Sequence, residues 1–240
     1  YCQKGDYDQA IQNLDKSIQL NPKIGFIYKF RALAYLEKKQ YNQALADCVK
    51  AEELGVSMFD EIYNLKGRVY AAKGQSDLAI QNFDLAIKLK PEEASYYYHR
   101  GMTLKEKGRN QEALSDFQKA AFRHFNKALE GMEACDHGKG NANTRNKALG
   151  EAEKATELDP SVAPYWHLLG YIHAQFQSDP LAAVMAEDAL QNALKIKPGN
   201  TPSRLLFARL LMNRGADAMA LDHLEEAVKK DPRLLVSPLA

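Results

Sequence analysis

Four stretches carry side chains that could do chemistry. His124, Cys135 and His137 could ligate a metal, and Gly138-Lys139-Gly140 could cradle a phosphate. Zinc sites space their ligands tightly and regularly, and these three residues do not. A phosphate loop of the Walker type needs G-x-x-x-x-G-K-[ST] between a strand and a helix, and neither the motif nor a strand is expected here. The run from Asp136 to Asn146 (DHGKGNANTRN) reads instead as a loop, because Gly and Asn concentrate where the backbone turns. H-E-x-x-H, G-x-S-x-G and kinase-type motifs are missing. Glu151 with Glu153, and Glu225 with Glu226, sit too close in sequence to face one another on a helix. The expectation is no catalytic residue, no metal and no cofactor; the chain does not read as an enzyme.

Bulk properties narrow the field further. Lys and Arg number 32 against 31 Asp and Glu in 240 residues, for a net charge of +1. Nucleic-acid binders usually carry a marked basic excess, so none is expected as a partner. No uninterrupted apolar run is long enough to span a bilayer; even Leu205 to Met212 is broken by Arg209. Cys2, Cys48 and Cys135 are scattered and form no framework, which suits reduced thiols and a cytoplasmic setting.

The elements that position these residues recur with a fixed period. Ala10, Ala44, Ala79 and Ala113 are spaced by 34, 35 and 34 residues. Ser17, Ala51, Ala86 and Ala120 keep the same phase, as do Tyr28, Tyr63 and Tyr97. Farther on, Ala186 and Ala220, Ala193 and Ala227, and Pro198 and Pro232 are each 34 apart. Within one period, Tyr63 and Tyr70 make the stripe of a first helix, and Ala79, Phe83 and Ala86 that of a second. Small residues (Ala32, Gly67, Gly101, Gly170) mark the helix crossings. Gly5, Gly74, Gly108 and Gly215 allow the positive φ that ends the first helix. Pro22, Pro91, Pro160, Pro198 and Pro232 stop the second.

The unit Tyr63, Gly67, Tyr70, Gly74, Ala79, Phe83, Ala86, Pro91, together with Trp166, Leu169 and Gly170, resembles the tetratricopeptide repeat. That resemblance implies an all-α, right-handed superhelical solenoid of antiparallel helix pairs. Residues 1–22 read as the second helix of a truncated repeat, and 23–126 as three well-matched repeats. Residues 127–161 read as a degenerate repeat with a loop insertion at 136–146, 162–233 as two further repeats, and 234–240 as a tail. Between Asn110 and Cys135 only Gly131 could break a helix, so one long helix and two short ones both fit. Four extra residues of the sixth repeat fall near Gln177-Ser178-Asp179-Pro180.

The resemblance also implies that first helices line a concave binding groove. Its candidate residues are Phe26, Lys29, Phe30 and Leu33, then Asn64, Leu65 and Arg68. Tyr98, His99, Met102 and Lys105 follow, and then His167, Leu168 and Tyr171. Phe30, Leu65 and Leu168 could equally pack between neighbouring repeats. Asp84 and Lys88, on a second helix, should lie outside the groove. Mixed aromatic, Met and basic side chains suit a peptide with some negative charge. The family's carboxylate clamp needs Lys, Asn and Arg at set places. Leu33, Leu65, Ser95 and His99 stand there, so chaperone C-termini are not expected ligands. The expected role is a protein-interaction scaffold with a protein or peptide partner. Two alternatives are a regulatory or substrate-recruiting arm of a larger enzyme, because the chain begins in mid-repeat, and a scaffold that self-associates through uncapped array ends.

Overall fold

In the computed structural model the structure describes residues 6–176 and 179–235, and among them there are twelve α-helices and no strand. They are α1 (Tyr7–Leu20), α2 (Gly25–Glu37), α3 (Tyr41–Glu53), α4 (Phe59–Ala72), α5 (Ser76–Leu89) and α6 (Ala94–Glu106). Then come α7 (Asn110–Asp136), α8 (Ala142–Leu158), α9 (Ala163–Ala174), α10 (Pro180–Ile196), α11 (Thr201–Asn213) and α12 (Asp217–Lys230), before a 3₁₀ turn at Pro232–Leu235. The chain divides into two compact units, residues 1–120 and 121–240. Each is a stack of helix pairs joined by short turns, the tetratricopeptide-type architecture.

Local chemistry explains the boundaries. A proline stands two residues beyond the ends of α1, α5, α8, α10 and α12. The residue before each proline (Asn21, Lys90, Asp159, Lys197, Asp231) leaves the helical region, with ψ between 80° and 92°. Clash with the proline ring forces that step. The turn inside a pair needs one left-handed residue. Gly74 supplies it at φ 73°, and the Gln75 amide then donates to the Tyr70 carbonyl at 2.9 Å. In the equivalent turn after α2 the residue is Lys39, at φ 60°, with Gln40 donating to Tyr35 at 2.8 Å. A side chain there is strained, and the same hydrogen bond holds it.

Small residues set the spacing between paired helices. A Cβ on Gly67 would come within 2.6 Å of the Phe83 ring, and one on Gly101 within 2.9 Å of Phe117. Unit 1 builds its core from Tyr28, Ala32, Leu36, Ala44, Cys48, Ala51, Ile62, Leu65 and Val69. Burying each large side chain contributes about 1.5–3 kcal/mol. Cys48 lies in that core, and burial pushes its thiol up to about 12.

Ion pairs repeat as well. The Arg31 guanidinium donates to both carboxylate oxygens of Asp47 at 2.7 Å and to Asp15 at 2.6 Å. Arg100 binds Asp116 through the same two-bond fork and reaches Asp84. Lys38 pairs with Asp8, and Lys107 with Asp77.

Two expectations need correction. The boundary at 126/127 falls inside α7, which runs unbroken from Asn110 to Asp136. Ala121, Ala128 and Met132 are buried and Phe125 packs beside them, so one apolar stripe continues through this stretch. Gly131 is no breaker; its backbone approaches Ala148 of α8. The loop expected at 136–146 shrinks to 137–141. There Gly138 takes φ 71°, and Asn141 caps α8 through a reciprocal capping box with Thr144. Asn141, read with its Gly neighbours as part of a loop, is the cap of a helix start. Tyr1 to Gly5, Gln177, Ser178 and Val236 to Ala240 lie outside the described residues, and with them Cys2, part of the expected insertion and most of the tail.

Candidate binding groove of the first unit

In unit 1 the first helices are neighbours, α2 touching α4 and α4 touching α6. Their side chains line two open cavities. The first, about 300 Å³, is walled by Lys29, Phe30, Leu33, Asn64, Leu65 and Arg68, with Ser95 and Tyr96 of α6. The second, about 390 Å³, is walled by Leu36, Arg68, Phe83, His99, Met102 and Thr103. Arg68 borders both. Of the sequence-derived candidates, Lys29, Phe30, Asn64, Arg68, His99 and Met102 are thus brought together. Leu65 is mostly buried, so it lines the cavity and packs between repeats at once.

Other candidates go elsewhere. Tyr98 is exposed and sits against Phe117 and His99, lining neither cavity, and Lys105 also lies outside both. His167 and Tyr171 belong to unit 2. There His167 Nδ1 is 3.1 Å from Ser203 Oγ, and the Tyr171 hydroxyl donates to Asp136 at 3.0 Å. Leu168 is core. The three residues that had suggested a metal are apart in role: His124 pairs with Glu151 at 2.5 Å, His137 bonds the Glu133 carbonyl, and Cys135 faces the Asn141 carbonyl. Asp84 and Lys88 line neither groove cavity. Asp84 is nonetheless tied into the fold through Arg100.

Two of the groove's cations are already paired with carboxylates. Lys29 donates to Glu61 at 2.6 Å, and its ammonium lies 4.9 and 5.0 Å from the Phe26 and Phe30 ring centroids. Those rings meet edge to face at 4.6 Å. Arg68 donates to Glu37 at 3.0 Å. Together the two cavities are lined by four basic side chains and four carboxylates. The expected preference for a peptide with some negative charge thus meets an equal number of carboxylates in the lining. Sequence reading missed Glu37 and Glu61 because it weighed the bases alone. The signal was there: Lys29–Glu61 and Arg68–Glu37 are 32 and 31 residues apart, close to one repeat.

His99 is strongly perturbed. The Asn64 amide oxygen accepts from its Nδ1 at 2.9 Å, and the ring stacks on Phe83. Burial, reinforced by the Arg68 charge, pushes the imidazole down to about 4. At neutral pH it is therefore uncharged. In the wall of the first cavity the Tyr96 hydroxyl donates to Asp60 at 2.7 Å, and burial with that bond raises its pKa.

Among the described residues no helix is long and apolar enough to cross a membrane. Tetratricopeptide-repeat family profiles match residues 1–24 and 67–108. Anaphase-promoting complex subunit 3 of Schizosaccharomyces pombe is 25% identical over 185 residues, 74% of this chain and 26% of that protein. Human serine/threonine-protein phosphatase 5 is 32% identical over 91 residues, 38% of this chain and 18% of that protein. The chain therefore spans about a quarter or less of these relatives. The crystal structure of the APC/C hetero-tetramer Cut9–Hcn1 superposes with a TM-score of 0.48 at 17% identity, over 95% of this chain and 44% of that one.

Proposed function

We propose, from the premise that the chain belongs to the tetratricopeptide-repeat family, that unit 1 is a protein-interaction module that takes a peptide segment of a partner along α2, α4 and α6. The observation that carries this reading is the pair of cavities joined at Arg68, lined from three successive first helices. Apolar surface is on offer: Phe26, Phe30 and Met102 are each exposed on those helices. With charges balanced, affinity should come from apolar anchors and from hydrogen bonds to a few polar side chains. Leu33 and Leu65 stand where the family's carboxylate clamp has polar groups, which favours an apolar side chain of the ligand at that place.

The test begins with a partner captured by pull-down and then titrated with purified variants. Phe30→Ala, Met102→Ala and Arg68→Ala should each weaken binding by about 1–2 kcal/mol. Lys88→Ala on the outer helix should not change it. If Lys88 matters and the three groove residues do not, the reading fails. A second reading, in which the module is the recruiting arm of a larger enzyme, draws on the match to part of the phosphatase. The size of the endogenous polypeptide on an immunoblot separates the two.

A further inference from the structure

Unit 2 contains a cavity of about 550 Å³ between α9, α10 and α11, at the turn after α9. Unlike the groove of unit 1, its charges do not cancel. Arg214 donates to Glu187 at 2.8 Å, and those two neutralise each other. Burial lowers the His173 imidazole below its ordinary value, with the Asp179 carboxylate opposing the shift. Arg209 also lines the cavity, and among the described residues no ion pair involves it. One guanidinium in the lining is left without a carboxylate partner.

A second observation points the same way. Phe176 forms part of the wall, and the Arg145 guanidinium lies 5.6 Å from its ring centroid. Arg145 Nε is buried and has no hydrogen-bond partner among the described residues. Orphaned buried donors are rare, and this one adds uncompensated positive potential beside the same ring.

We propose that this cavity binds a monocarboxylate with an apolar body, the carboxylate on Arg209 and Asn213 and the body against Phe176 and Leu210. Arg209 and Asn213 are four residues apart on α11, so they share a helix face. A guanidinium fork matches a carboxylate, and a side-chain amide can add a further donor. The volume falls in the range of small-ligand sites. The site is independent of the peptide groove of unit 1 and would stand if that reading failed. Its carboxylate could come from a free small acid or from the end of a chain.

The test is an NMR titration of the whole 240-residue protein at pH 7. N-acetyl-leucine should shift the Arg209 Nε–H and Asn213 side-chain signals and saturate. N-acetyl-leucinamide, which lacks the charge, should bind at least about tenfold more weakly, as a lost charged hydrogen bond requires. Arg209→Gln should cost the same factor; Arg209 is exposed, so the fold is expected to tolerate it. Lys88→Gln, on α5 and outside every cavity described, should change nothing. A tetrapeptide ending in a free leucine carboxylate separates the sources. If it binds as tightly as N-acetyl-leucine the ligand is a chain end, and if only the small acid saturates it is a free metabolite. Equal binding of acid and amide, an unaffected Arg209→Gln variant, or no saturable shift with either acid would overturn the proposal.

Discussion

Arg100 of α6 grips Asp116 of α7 through two parallel hydrogen bonds of 2.7 Å, and the Asp116 side chain is only 3% exposed. Without Asp116 the guanidinium would keep only the more exposed carboxylate of Asp84 on α5. Asp116→Ala is therefore expected to destabilise unit 1 by about 3 kcal/mol, since it strands half-buried charge. Asp84→Ala removes a more exposed partner and should cost less than about 1 kcal/mol. Urea denaturation of both variants checks the order. Equal losses would mean that the fork is no anchor.

Glycine substitutions should differ in sign according to what a new methyl meets. At Gly67 it meets the immobile Phe83 ring, so Gly67→Ala should destabilise by about 1–3 kcal/mol. At Gly150, inside α8, nothing lies within 4 Å. Gly150→Ala should stabilise by about 0.5–1 kcal/mol through helix propensity alone. Thermal melts that moved in the same direction would contradict this packing.

The Lys39 turn gives a third expectation. Its positive φ suits glycine, as Gly74 and Gly108 show in the matching turns. Lys39→Gly should relieve about 1 kcal/mol of backbone strain, partly offset by the greater freedom of glycine in the unfolded chain. A small rise in midpoint, with an unchanged denaturant slope, is the expected result.

The fourth concerns pH. His99 is neutral in the fold down to about 4, whereas the unfolded imidazole protonates near 6.5. Between those values the unfolded chain binds more protons, so stability falls as pH drops through that window and is fully present above it. The loss at the acid end is on the order of 3 kcal/mol. His99→Gln has nothing to titrate and should flatten that part of the profile, whatever its stability at pH 7. An NMR titration that put the His99 midpoint near 6.5 would remove the effect.

Much of this was legible in the sequence, because the period of the small residues and the prolines at helix ends act through local sterics. Gly67 and Pro91 mean the same thing wherever they occur in the array. The α7 helix was harder: Phe125 and Ala128 fit two short helices or one long one, and only packing against α8 and α9 decides. Asn141 and Thr144 misled because capping and turning draw on the same side chains. In the groove, Lys29 and Arg68 were visible as cations, but their neutralisation depends on carboxylates a full repeat away. Tyr98 was placed by its register on α6, whereas its ring sits against Phe117 of α7 and lines neither cavity.

The arginine forks also measure the array. Sixty-nine positions separate Arg31 from Arg100, Asp47 from Asp116, and Asp15 from Asp84, and the same step relates the Lys38–Asp8 and Lys107–Asp77 pairs. The intervening repeat has Lys66 and Asn82 where its neighbours have Arg and Asp, and Lys66 turns to Glu52 instead. Electrostatically, then, the smallest interchangeable block is a tandem of two repeats. Excising residues 31–99 would leave Asp15 facing Arg100 and Asp116 with every partner in place. Removing residues 31–65 would set Lys66 and Asn82 against Asp15 and dissolve the fork. Within unit 1, shortening is in that sense a matter of parity: removing the block of two repeats preserves the wiring, and removing residues 31–65 alone cuts it.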